Sequence, residues 1–142
     1  MKRQLHILMV VVVTLFANAA QAQTNSPRRV VAQIPFAFNV GKTTLPAGKY
    51  TISVVNPSSD RTVLQIRSDD GQASAMILTN DEHRRLADNA KLVFERYDDR
   101  YFFAEAQMAG EATSFAAVRS KAEHKEMLAK AARKTVIVIT VG

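Results

Sequence analysis

The chain has 142 residues, of which 47% are hydrophobic and 23% are charged, and it contains no cysteine. This length and composition are typical of one globular domain and exclude collagen, coiled coils and disordered chains. The lack of cysteine excludes disulfide bonds, thiol catalysis and cysteine-based zinc sites.

The first 22 residues have the organisation of a secretory signal peptide. Lys2 and Arg3 precede an almost wholly apolar run at residues 7–17, and Ala20-Gln21-Ala22 supplies small residues two apart. Spanning a bilayer takes about 20 apolar residues, so this shorter run does not predict a permanent membrane anchor. We therefore predict cleavage after Ala22, a flexible leader at residues 23–29, and export to the periplasm or the medium.

The first strands of the predicted domain, residues 30–142, follow the leader. Apolar residues alternate along Val30–Val40, which predicts a strand with one apolar face. Pro35 cannot donate a backbone hydrogen bond, so it is expected at an edge or an irregular point. The residues Leu45-Pro46-Ala47-Gly48 are typical of a tight turn, and alternation resumes at Tyr50.

Two hairpins are predicted next. Asp70-Gly71 favours a type I′ turn, so Arg61–Thr79 is interpreted as one β-hairpin. The polar segment Asn80–Ala90 is interpreted as a surface loop. A second hairpin joins Lys91–Tyr97 to Arg100–Met108 and carries most of the aromatic residues, so we expect it near the centre of the core.

The C-terminal region combines one helix with one strand. Ser120-Lys121-Ala122-Glu123 fits a capping box, which predicts a helix over about residues 120–133. Residues 135–141 read TVIVITV, which favours a strand buried between neighbours. The whole pattern predicts a mainly β fold, an antiparallel β-sandwich or small barrel of seven to eight strands, with one helix before the last strand.

Four blocks of the sequence occur together: IPFAF at 34–38, VGKTTLPAGKY at 40–50, LQIRSDDG at 64–71 and KLVFERYDDRYFFAE at 91–105. In combination they resemble a family of small secreted proteins associated with acidobacterial genomes. The resemblance spans roughly residues 30–125 and implies an exported domain, but no activity, cofactor or ligand. The chain departs from the family at Asp98-Asp99, where a Gly is usual, and at Gln107, where a bulky apolar residue is usual.

Catalytic and cofactor motifs are not evident. Only His83 and His124 remain after cleavage, and no serine lies in a nucleophile elbow. The acidic pairs lack calcium-loop spacing, and the five glycines form no phosphate-binding loop. We therefore predict a protein that is not an enzyme, has no cofactor or metal, and does not bind nucleic acid.

The basic residues are concentrated in one segment. Outside residues 119–134 the mature chain balances acidic and basic residues, whereas this segment has six basic and two acidic ones. We predict that it contacts an anionic envelope surface or polysaccharide. The candidate contact residues are Arg119, Lys121, Lys125, Lys130, Arg133 and Lys134.

The predicted function is a cell-envelope or extracellular binding or structural accessory that uses this basic helical face. The alternative is a carrier of a small apolar ligand, with a cavity lined by aromatic side chains. The aromatic residues that would line such a cavity are Phe36, Phe38, Tyr50, Phe94 and Phe102. The competing interpretation of these five residues is ordinary core packing.

Overall fold

The computed structural model describes residues 28–56, 61–130 and 134–142. The predicted signal peptide and leader residues 23–27 lie outside these ranges. The last two residues assigned to the leader belong to the fold, since β1 begins at Arg29 and the Arg28 guanidinium pairs with Glu111.

The protein is mainly β, as predicted, with 61% of the described residues in strands. The described ranges contain ten strands, more than the seven to eight predicted, and one helix. The strands are β1 (Arg29–Ile34), β2 (Phe38–Val40), β3 (Thr43–Leu45), β4 (Gly48–Val54), β5 (Thr62–Ser68), β6 (Ser74–His83), β7 (Ala90–Tyr97), β8 (Arg100–Gln107), β9 (Thr113–Ala117) and β10 (Lys134–Val141). The helix, α1 (Lys121–Lys130), precedes the last strand as predicted.

The strands form one branched sheet. Its main path runs β1-β4-β5-β6-β9-β8, and β8 also pairs with β7, which pairs with β10. The β2–β3 hairpin joins β8 through one parallel bridge, between Asn39 and Phe102, whereas the other pairs are antiparallel. β6 pairs with β5 up to Thr79 and with β9 from Thr79 onward. The sheet does not close, which is consistent with the predicted β-sandwich.

The segment predicted as one strand at Val30–Val40 is divided at its proline. β1 stops at Ile34, directly before Pro35, and β2 begins at Phe38. A turn with Gly41 at φ 58° then leads into β3, a conformation that glycine adopts without strain. The predicted turn at residues 45–48 joins β3 to β4, and its Pro46 carbonyl accepts a 2.6 Å hydrogen bond from the Tyr50 hydroxyl.

The hairpin predicted around Asp70-Gly71 is formed by β5 and β6, but its turn is wider than predicted. The last strand pair joins Arg67 to Ser74, and only Gly71 in the loop has a positive φ, at 73°. Asp70 instead accepts hydrogen bonds from the Ser68 hydroxyl and the Gln72 amide, which stabilises the longer loop. The predicted loop at Asn80–Ala90 is also shorter, because β6 continues to His83.

The β7–β8 hairpin lies at the centre of the core, as predicted. The Phe94 ring is fully buried and meets Phe36, Phe38 and Phe103 edge to face, with centroids 5.1, 5.4 and 5.8 Å away. Phe102 points to the other side of the hairpin, where it meets Tyr97. The five aromatic residues of the carrier hypothesis therefore do not form one lining.

The prediction that residues 135–141 are buried between two strands is wrong. Among the described strands β10 pairs only with β7, so it is an edge strand. Ile137 and Ile139 pack against the core, but Val136 and Val138 are 56% and 53% exposed. Only alternate residues of a strand face the core, so this uniformly apolar strand leaves one side in water.

Candidate functional site

The basic segment begins with a well-formed helix cap. The Glu123 amide donates a 3.2 Å hydrogen bond to the Ser120 hydroxyl, and the Glu123 carboxylate accepts from the Ser120 amide. This reciprocal pair confirms the predicted capping box. The cap fixes where α1 starts and therefore which of its residues face the sheet.

The helix start is attached to the sheet through Glu95. This residue lies on the outer face of β7, opposite Phe102 of β8 and Val136 of β10. Its side chain is 9% exposed, and its carboxylate pairs at 2.6 Å with Arg119 Nη1 and at 2.6 Å with Lys134 Nζ.

The Tyr97 hydroxyl donates a third hydrogen bond to the Glu95 carboxylate, at 3.0 Å. We call Glu95, Tyr97, Arg119 and Lys134 the Glu95 cluster. It joins the residues on either side of α1 to the central hairpin.

The cluster keeps Glu95 ionised. Burial alone would raise the pKa of Glu95, but hydrogen bonds from Lys134 and Arg119 outweigh it, so the pKa is lowered. Burial and the hydrogen bond to Glu95 raise the pKa of Tyr97 to about 12. At neutral pH the cluster therefore holds one carboxylate, two cations and one neutral phenol.

A second buried carboxyl group lies on the sheet-facing side of α1. Glu123 is 6% exposed, and burial raises its pKa, although the Ser120 amide and the charge of Arg119 oppose this shift. Glu126, one turn of helix further along, forms a 2.5 Å ion pair with Arg100 of β8. Both acidic residues of the basic segment thus face the protein, not solvent.

The structure divides the predicted basic face. Arg119 and Lys134 are engaged by Glu95, so they do not form an unpaired surface with the helix lysines. Lys121 and Lys125 are exposed, and neither forms an ion pair within the described ranges. Lys130 ends α1, but its side chain lies outside the described part of the chain, as does the whole of Arg133.

Three of the depressions in the described surface lie near α1 or the β5–β6 loop. One of about 250 Å³ lies beside the start of α1 and is lined by polar and charged side chains with Phe102, including Lys42, Arg100, Glu123 and Glu126. The other two flank the β5–β6 loop. The carrier hypothesis stays a prediction, and none of these depressions is lined by the Phe36–Phe94 ring cluster.

Side chains suited to metal binding are not assembled in the described residues. No set of three or more His, Asp or Glu side chains lies close enough there to hold a metal ion. His83 ends β6 and His124 lies in α1, and neither imidazole has a hydrogen bond or ion pair within those residues. None of the described helices has the length and hydropathy needed to cross a bilayer.

Comparisons with known proteins add no family or activity. No protein-family model matches the chain, and neither a curated protein nor a solved structure is similar to it. The resemblance to the acidobacterial family therefore stays a prediction.

Proposed function

We propose that the protein is an exported, non-enzymatic β-domain that acts as a binding or structural accessory at the cell envelope or outside it. Its contact surface is the solvent-facing side of α1, and its partner is anionic. The observation that carries the proposal is the pair Lys121 and Lys125, both exposed and without an ion pair among the described residues.

The spacing of these lysines supports a shared contact. Residues four apart lie on one face of a helix, so both ammonium groups reach the same partner surface. The acidic side chains that would neutralise them are turned away, since Glu123 is buried and Glu126 pairs with Arg100. Each lysine held near an anionic surface contributes about 1 kcal/mol at moderate salt.

The proposed place of action follows from the N-terminal sequence. Residues 1–22 combine Lys2 and Arg3, a short apolar run and an Ala-x-Ala site, which is the pattern that directs a chain into the export pathway. The surfaces that an exported chain meets include anionic lipid headgroups and acidic polysaccharides.

The test is co-sedimentation of the purified protein with envelope fragments from its own source, at low and at high salt. We expect retention at low salt and release at high salt, because salt screens exposed charges. The Lys121→Gln/Lys125→Gln variant is expected to lose retention. The matched control, Lys49→Gln/Arg85→Gln, removes two exposed charges elsewhere and is expected to retain it.

Two results would contradict the proposal. One is equal retention of the two double variants, which would mean that the position of the charges does not matter. The other is the absence of wild-type retention at either salt concentration. Circular dichroism of each variant establishes that the fold is intact before binding is compared.

A further inference from the structure

We infer that the anionic partner of α1 is a phospholipid bilayer surface, an inference that rests on the proposed function and names its partner. The observation behind it is Leu128, whose side chain is 72% exposed on the same side of α1 as Lys121 and Lys125. Lysines alone fit any anionic polymer, whereas an exposed leucine among them favours a partner with an apolar interior.

Helical geometry puts these residues in one row. At about 100° per residue, Lys121, Lys125 and Leu128 fall within an arc of about 60°. The buried Glu123 and the half-buried Met127 lie on the opposite side of the helix, toward the sheet. We call Lys121, Lys125 and Leu128 the lysine–leucine row, and it points directly away from the protein.

The sheet beside the helix adds apolar surface on the same side of the molecule. α1 is held over the outer face of the β7–β8 hairpin by the Arg119–Glu95 and Arg100–Glu126 pairs. Val136 and Val138 are exposed on the outer face of β10, where Val136 is the strand partner of Glu95. The row and these two valines therefore face solvent on the same side of the sheet.

This combination matches the physics of interfacial binding. A helix lying on a membrane inserts apolar side chains among the acyl chains while lysine side chains extend to the phosphate groups. An acidic polysaccharide is hydrated throughout, so it offers the lysines a partner but leaves the leucine in water. The leucine thus distinguishes the two partners, and the lysines do not.

The test compares two negatively charged probes, of which only one has an apolar interior. Vesicles of equal parts phosphatidylglycerol and phosphatidylcholine are one probe, and dextran sulfate beads are the other. Pure phosphatidylcholine vesicles test the need for charge. The protein is purified in the form that the producing cell releases. Mass spectrometry establishes that the wild type and all variants have the same N-terminus before their binding is compared.

We expect binding to the anionic vesicles and little binding to pure phosphatidylcholine. Lys121→Gln/Lys125→Gln is expected to weaken vesicle binding by about 25-fold at low salt, since each lysine contributes about fivefold. Leu128→Ser is expected to weaken vesicle binding by about fivefold or more, because it removes an apolar side chain from the acyl chains, and to leave dextran sulfate binding unchanged. Leu86→Ser, a matched control at a leucine 61% exposed in the β6–β7 loop, is expected to change neither.

The outcomes separate the inference from the proposed function. If Leu128→Ser binds the vesicles like the wild type, the lipid inference is wrong, while lysine-dependent binding to dextran sulfate would still support an anionic partner. If the double lysine variant binds both probes like the wild type, the lipid inference and the proposed function are both wrong. Weaker binding of Leu128→Ser to both probes would also overturn the lipid inference, because it would indicate a change in the helix itself.

Discussion

Replacing Glu95 with glutamine tests whether the Glu95 cluster holds the C-terminal region onto the sheet. Glutamine keeps the size of the side chain but removes its charge. Arg119 and Lys134 then lose the carboxylate that they share at 2.6 Å, and the Tyr97 hydroxyl loses an ionised acceptor. We expect Glu95→Gln to lower the free energy of unfolding.

The expected loss lies between the values for buried and for exposed ion pairs. Breaking a fully buried pair costs about 3–5 kcal/mol, and an exposed pair contributes at most about 1 kcal/mol. The Glu95 side chain is only 9% exposed, but Arg119 and Lys134 are 30% and 37% exposed, so both cations can recover hydration. We therefore expect a loss of about 2–3 kcal/mol and a fall in Tm of about 10 °C.

The pH dependence of this loss gives a second, independent measurement. The pKa of Glu95 in the folded protein is lower than its ordinary value of 4.5. Its stabilising contribution is therefore fully present above pH 4.5 and is lost as the pH falls through the folded value. The difference in stability between wild type and Glu95→Gln should be constant near pH 7 and shrink in acid.

The assay is urea unfolding followed by far-ultraviolet circular dichroism at pH 7 and at pH 3.5. The matched control is Glu82→Gln, since Glu82 is 43% exposed and pairs with Arg84 at the surface. It should lose no more than about 1 kcal/mol. A loss below 1 kcal/mol for Glu95→Gln at pH 7, or a difference that persists unchanged in acid, would refute the structural role assigned to the cluster.

Two further substitutions test the buried carboxyl group and the exposed edge strand. Because the pKa of Glu123 is raised, its favourable contribution to stability is complete below pH 4.5 and is lost as the pH rises through the folded value. Glu123→Gln, which preserves the capping pattern, should therefore be more stable than wild type at pH 7 but not at pH 4, as measured by urea unfolding. Lower stability of the variant at pH 7 would contradict this expectation. Val138→Lys should change the free energy of unfolding by less than about 0.5 kcal/mol and reduce turbidity on refolding, because it puts a charge on an exposed edge strand. Ile139→Lys, on the core-facing side of the same strand, should instead destabilise the fold strongly; equal effects of the two lysines would contradict the assigned sides of β10.

The parts of the fold that sequence could predict depend on local interactions. The capping box at Ser120 and Glu123 involves residues three apart, and the β7–β8 hairpin closes through two residues. β9 gave no such signal, because Ser114 and Phe115 are both buried and the strand does not alternate. It is recognised only through its pairing with β8, which directly precedes it, and with β6, which is distant in the sequence.

The position of β10 illustrates a different limit. The composition of a uniformly apolar strand suggests that both of its faces are buried, but it does not reveal how many strands flank it. In the structure β7 is its only partner among the described strands, and Val136 and Val138 remain in water. The sequence correctly indicated a strand and wrongly indicated its surroundings.

The candidate site was only partly predictable for the same reason. Counting charges identified Arg119, Lys121, Lys125 and Lys134 as one basic segment. It did not identify Glu95, because a glutamate that alternates with core residues normally faces solvent. Only Arg119, directly before α1, and Lys134, at the start of the neighbouring strand β10, turn that position into a buried ion-pair site.

This division of the basic segment determines how its function can be tested. Substituting Arg119 or Lys134 would remove a partner of the buried Glu95 carboxylate, so any loss of binding would be confounded with loss of structure. Lys121 and Lys125 have no such partner within the described ranges, so their removal changes the surface charge and leaves the cluster intact. Neutralising the whole segment at once would mix the two effects, whereas the double lysine variant and Glu95→Gln separate them.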